Sequence, residues 1–214
     1  QSFWCTGVSC AFASFSKQII GNQSTVGAFS IPAGGSLDLG WWWHTPADTL
    51  DKIDPNNLLR DAKIFTAYII DFLTAPVIPL DFRISVDEII AILNDWQSKA
   101  AGYFDLSPTV SRANELKIAV ESLYLRPRTT PAEIAAFNNR LWQLGRILVP
   151  LNYTKGNNYA NDPAVAQPPM PHLSAISLLA DADNDRRKEI RVELTHSRNY
   201  IMHNLNLAIK ACNS

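Results

Sequence analysis

From Asp54 onward apolar residues recur every three or four positions, and before it they do not. Leu58, Ala62, Phe65, Ile69 and Phe72 mark one face of a helix that Asp54 can cap, Pro55 can open and Pro76 must end. A second helix is predicted from Asp81, or from the capping-box pattern Ser85-Val86-Asp87-Glu88. It carries Val86, Ile89, Ile90, Leu93 and Trp96 on one face up to Gly102. A third follows Ser107-Pro108 and turns Val110, Ala113, Leu116, Val120 and Leu123 inward. Thr130-Pro131-Ala132-Glu133 is the clearest start signal in the chain, because the Thr hydroxyl and the Glu carboxylate can each satisfy an orphaned backbone donor. The helix it opens is predicted to run to about Val149. A short helix near Leu173 to Ala180 and a long one from Asp185 to Ala211 complete the pattern, the latter striped by Ile190, Leu194, Ile201, Leu205 and Ile209.

Residues 1–53 read differently. They are rich in Gly, Ser and aromatics, with one strand-like stretch from Thr6 to Phe12 and a loop-like Ile31-Pro32-Ala33-Gly34-Gly35-Ser36. The expected fold is therefore mainly α: a helical bundle over residues 54–214, preceded by a short strand-and-loop segment over 1–53. Residues 150–171 form a Pro/Asn-rich stretch whose length is uncommon in a compact domain unless it has a function, and it is read as functional.

Composition removes several classes. Net charge is −1 with no Lys/Arg block, so the electrostatic footprint of a nucleic-acid binder is missing. No apolar run approaches the roughly 20 residues of a membrane span, since the best, Ile64 to Leu73, contains Thr66 and Asp71. The opening Gln1-Ser2-Phe3-Trp4 has neither an initiator Met nor a signal-like segment, and is read as following an upstream removal. Cys5, Cys10 and Cys212 allow at most one internal bridge, which leans towards a secreted or periplasmic protein. Asn22-Gln23-Ser24 and Asn152-Tyr153-Thr154 are sequons only in a glycosylating host.

Candidate chemistry is sparse. A catalytic zinc needs about three protein ligands and an open position. His196 and His203 lie seven residues apart on the last helix, beyond the usual i,i+4 chelate, and read as surface or packing groups; His172 follows two prolines and is uninformative. Asp181-Ala182-Asp183-Asn184-Asp185 opens like a calcium loop, but Arg186 stands where Gly is required and Val192 where the closing Glu belongs. It reads instead as an acidic first turn for the last helix. His44 differs: it follows Trp41-Trp42-Trp43 and precedes Thr45-Pro46-Ala47-Asp48-Thr49 in a stretch with loop chemistry. No HExxH, paired zinc cysteines, nucleophile elbow or phosphate loop accompanies it.

The segment Trp43-His44-Thr45-Pro46-Ala47-Asp48-Thr49-Leu50-Asp51-Lys52-Ile53-Asp54-Pro55 resembles the end of the catalytic domain in the zinc peptidase family of glutamate carboxypeptidase and the co-catalytic aminopeptidases. Gln1-Ser2-Phe3-Trp4 with Gly7-Val8 is similar to the passage before that family's last metal ligand, and Ala75-Pro76-Val77-Ile78-Pro79-Leu80-Asp81 to the link between its first two helices. Tyr153 to Pro171 looks like the loop that returns to the substrate pocket. The resemblance is strongest over residues 40–82 and loosely covers nearly the whole chain. It implies that residues 1–53 complete the C-terminal edge of an α/β catalytic domain and that 54–214 form a bundle like the transferrin receptor's dimerisation domain.

The resemblance makes His44 a zinc ligand and Asp48 a group beside it that can orient the imidazole; an Asx-type turn with Thr49 or Leu50 is the local alternative for Asp48. Trp43 stands where the carboxypeptidases have a carbonyl-polarising Tyr, and an indole N–H is a differently placed donor. Tyr159 matches their pocket Tyr, but Asn158 replaces the preceding Lys, so a carboxylate clamp of that kind is not expected. Trp41, Trp42, Phe29 and Tyr159 suggest an apolar or aromatic pocket, or packing under the bundle. The family's other ligands and its general base find no match here, so no catalytic residue is expected in this chain. The implied protein is a two-zinc amide hydrolase in which a metal-bound hydroxide attacks a peptide or small amide. An N-terminal chain of the same precursor completes it in a dimer of heterodimers, and this chain alone is inactive. The alternative is a receptor-like assembly module with a decayed metal site.

Overall fold

A computed structural model describes residues 4–8, 30–31, 35–36, 42, 45–157, 159 and 167–214. The chain divides into two compact units, residues 11–75 and residues 1–10 with 76–214. The architecture is mainly helical, as the periodicity predicts, and its second unit is a helical bundle.

In the unit 11–75, strands β1 (Ser30–Ile31) and β2 (Gly35–Ser36) pair antiparallel, Ser30 opposite Ser36 and Ile31 opposite Gly35. The stretch expected to be a plain loop thus contains a minimal hairpin. A 3-10 turn at Leu50–Lys52 leads into α1 (Pro55–Thr74). Asp54 caps α1 as expected, its carboxylate accepting from Asn56 N–H (2.8 Å) and Asn57 N–H (3.4 Å), with Pro55 in the first turn. The apolar stripe of α1 is exposed, Leu58, Phe65, Ile69 and Phe72 among it.

In the larger unit, α2 (Phe82–Lys99), α3 (Ser107–Leu125), α4 (Pro131–Tyr153) and α5 (Asn184–Asn213) enclose the core. Of the two starts expected for α2, the real one is Asp81, whose carboxylate accepts from Arg83 N–H (3.0 Å). Ser85 lies inside the helix. Buried positions alternate at spacings of four and three: Phe82, Val86, Ile89, Leu93 and Trp96 on α2, Thr109, Ala113, Leu116, Val120 and Leu123 on α3, and Phe137, Leu141, Leu144, Leu148 and Leu151 on α4. That repeat keeps a seam on one side of a helix and favours near-parallel packing. α5 packs against α3, against α4 and against a 3-10 helix, Pro171–Leu178, which lies where a short helix is expected. Ile190, Leu194, Ile201 and Leu205 of α5 are buried, and Asp183 caps it through Asp185 N–H and Arg186 N–H, the acidic-turn reading of that cluster.

α4 extends one turn past its expected end. Pro150 removes a single helical hydrogen bond, the one that would reach the Arg146 carbonyl, and the turn beyond it is retained because Leu151 and Asn152 are buried and Thr154 N–H donates to Pro150 O (3.0 Å). The long stretch after α4 is fastened at its feet. Met170 N–H donates to Asn152 O (2.8 Å) and Trp96 Nε1 donates to Pro169 O (2.9 Å), while Met170 itself is fully buried at φ +49°. Such a left-handed non-glycine persists only where its surroundings over-determine it.

Polar side chains secure the connections. The Tyr124 hydroxyl donates to Leu80 O (2.7 Å) and accepts from Phe82 N–H (3.0 Å), tying the start of α2 to the end of α3; burial raises its pKa. The Asn138 amide spans the Pro76–Leu80 link, accepting from Ile78 N–H (3.0 Å) and donating to Pro76 O (2.9 Å).

The Thr6–Phe12 strand is not formed where it is described. Thr6 ends a 3-10 turn, Trp4–Thr6, and Gly7 follows at φ +77°, outside the extended region; residues 9–12 lie outside the described residues. This turn packs on α4, with the Trp4 and Tyr153 ring centroids 5.2 Å apart. A Cβ on Gly7 would lie 2.2 Å from the Arg146 α-carbon, so the contact admits glycine alone.

Three outcomes follow. Gly7→Ala is expected to detach the Trp4–Thr6 turn from α4 and leave the bundle folded, read by hydrogen exchange as lost protection confined to the turn and the facing part of α4. At the start of α4, Glu133 Oε2 accepts from Thr129 N–H (2.9 Å) and Thr130 N–H (2.8 Å), which lower its pKa from 4.5 to about 2. A carboxylate lowered by folding stabilises above its unfolded value and loses that contribution as pH falls to the folded one. The melting temperature of the wild type should therefore exceed that of Glu133→Gln by a constant margin above about pH 5, and the margin should vanish by about pH 2. Thr130→Ala should cost about 1 kcal/mol in the same assay.

Candidate functional site

Two places gather the residues singled out from the sequence. The first is the turn around Thr45. Thr45 organises it: its hydroxyl donates to Trp42 O (2.7 Å) and accepts from Ala47 N–H (3.2 Å), while Thr45 N–H also reaches Trp42 O (2.9 Å). Asp48 N–H donates to Thr45 O (3.0 Å) and Thr49 N–H to Ala47 O (3.0 Å). These bonds set 45–49 in consecutive turns that leave Asp48 exposed. The Asx-type turn considered for Asp48 is not made with Thr49, whose N–H donates to Ala47 O, nor with Leu50, whose N–H donates no bond to the carboxylate. Among the described residues the Asp48 carboxylate accepts no hydrogen bond. His44, Trp43, Trp41 and Phe29 lie outside the described residues; Trp42 is half-buried.

The second place is a cleft of about 370 Å³ inside the larger unit. The Trp4–Thr6 turn, the last turns of α4, the 156–159 segment and α5 bound it, and Cys5, Arg146, Asn157, Tyr159, Tyr200 and Asn204 are among its walls. Tyr159 is 99% exposed, its backbone N–H held by Asn157 Oδ1 at 2.9 Å. Tyr200 leans on His172 with 4.7 Å between ring centroids, which gives His172 a packing role. Tyr159, a pocket candidate from the sequence, lines this cleft. Arg146, Tyr200 and Asn204 were not candidates, because they face the cleft only once α4 and α5 are side by side and no local motif marks them.

The remaining candidates take structural or surface roles. His196 and His203 are exposed on α5. Cys5 and Cys212 are free, buried thiols, and burial pushes Cys212 up to about 11, so it packs as a neutral group; Cys10 lies outside the described residues. Asn152 is buried in α4 and offers no glycan acceptor in the folded chain. Among the described residues no three His, Cys, Asp or Glu side chains converge to hold a metal, and no helix is long and apolar enough to cross a membrane.

Comparison with protein-family models, with curated proteins and with solved structures finds no match to this chain.

Proposed function

We propose that these residues are the C-terminal section of a two-zinc amide-bond hydrolase, in which His44 ligates one zinc and protein sequence outside this stretch supplies the other ligands and the general base. The observation that carries the reading is the run Trp43-His44-Thr45-Pro46-Ala47-Asp48-Thr49, which passes through the capped start of α1 into a helical bundle. The geometry around Thr45 is compatible with it. A ligating imidazole needs a partner for its second nitrogen, and the exposed Asp48 carboxylate, two turns' worth of hydrogen bonds from Trp42, has none of its own among the described residues. Zinc, when bound, would polarise the scissile carbonyl and acidify water. The part of this chain is to fix one ligand and to orient it through Asp48. Whether the missing sequence is a separate N-terminal chain, paired as a dimer of heterodimers, is part of the same proposal.

Zinc analysis of the intact native protein should find close to two ions per active site. His44→Ala should lower zinc content and abolish turnover of aminoacyl and N-acyl amide substrates while the bundle's helicity and melting temperature stay unchanged, since its apolar seams lie elsewhere. Asp48→Ala should weaken zinc binding by about 10- to 100-fold. Full zinc content in His44→Ala would remove His44 from the site. Absence of zinc from the native protein would favour the receptor-like assembly module instead.

A further inference from the structure

We propose that the cleft between the Trp4–Thr6 turn, α4, the 156–159 segment and α5 binds a small carboxylate ligand with an aromatic or apolar body, and that Arg146 supplies its charge recognition. The first observation is electrostatic. Among the described residues that line the cleft Arg146 alone is charged. Three arginines of this unit have acidic partners, Arg83 with Asp81, Arg112 with Glu115 and Arg186 with Glu189, each at 2.7 Å, while Arg146, like Arg126 and Arg191, has none among the described residues. Among the described residues Arg146 makes no ion pair or hydrogen bond through its guanidinium, while Glu193 of α5 is engaged by Lys155 at 3.3 Å. Arg146 is exposed beside the cleft, and an unneutralised guanidinium there favours a planar oxyanion, to which it can donate two parallel hydrogen bonds.

The second observation is that the base of this arginine is fixed. Gly7 lies directly against the Arg146 backbone, and Pro150 begins the next helical turn, so Arg146 stands where two chain segments meet. Asn157 and Tyr159 are likewise tied, Tyr159 N–H donating to Asn157 Oδ1. A guanidinium whose backbone is held on both sides loses less freedom on binding than one on an open helix face.

The third observation concerns the rest of the wall. Tyr159 and Tyr200 provide aromatic surface, and the Tyr159 ring has almost no cover of its own. Asn204 uses one amide hydrogen on Tyr200 O (2.9 Å) and keeps a second donor and its carbonyl for a ligand. Pro150 and Ile147 supply apolar floor. One cation, neutral amides and aromatic faces in about 370 Å³ fit one amino-acid-sized anion. The sequence reading excludes a carboxylate clamp at Asn158; the cleft places a cation beside Tyr159 from α4 instead. This inference depends on the cleft alone and not on zinc.

Titration of the intact, chelator-treated protein with N-acetyl-L-phenylalanine and with its C-terminal amide, by calorimetry, tests it without any metal to attract the carboxylate. The acid should bind about tenfold or more tightly than the amide, and the preference should shrink at high salt. Arg146→Gln should bring the acid to the affinity of the amide with no change in melting temperature, Arg146→Lys should retain part of the preference, and Tyr159→Ala should weaken both ligands alike. Equal binding of acid and amide by the wild type, or an undiminished preference in Arg146→Gln, would overturn the proposal. So would inorganic phosphate binding as tightly as the acid, which would reduce the cleft to a bare charge.

Discussion

Apolar side chains set alternately four and three residues apart bind the helices of the larger unit to one another, and the burial of α5 among them is the constraint on which its other features rest. α5 meets α3, α4 and the Pro171–Leu178 helix, so Ile190, Leu194, Ile201 and Leu205 seal several layers at once. Burial of one such side chain stabilises by about 1.5–3 kcal/mol. Polar fastenings such as Tyr124 to Leu80 and Asn138 to Ile78 add less each, but decide where the connections run. The cleft is a by-product of this arrangement, since its walls come from α4 and α5 and its rim from segments tied back to them.

The helical part was legible because caps and periodicity agreed. Asp54, Asp81, Thr130 and Asp183 each sit where a side-chain acceptor, a following turn of free N–H groups and an apolar repeat coincide, and each caps a helix. Reading failed where one residue was taken as decisive. Pro150 suggested an ending, but a proline costs one bond, and Leu151 beyond it is worth burying. Thr6 to Phe12 suggested a strand, but Gly7 turns the chain at positive φ to meet Arg146. The stripe on α1 lies in the unit 11–75, and periodicity states that a face is to be covered and not by what.

The candidate chemistry divides along the same line. His44 and Asp48 could be singled out as a candidate ligand and its orienting group because such a pair lies close along the sequence. The Arg146 cleft could not, because it joins residues near 5, 146, 159 and 200, and only packing brings them together. Its one sequence cue, Pro150 four residues after Arg146, speaks of backbone and not of ligand.

The burial of Asn152 reaches beyond the folded molecule. Its side chain is sealed in the last turn of α4 and its carbonyl receives the amide of Met170, yet Asn152-Tyr153-Thr154 is a sequon while the chain is still extended. In a host that attaches oligosaccharide co-translationally, modification and folding compete for the same asparagine. A chain glycosylated first cannot close the foot of its long loop or seat that turn of α4. Such material would be trapped with its core open, which makes the choice of expression host a determinant of the fold itself.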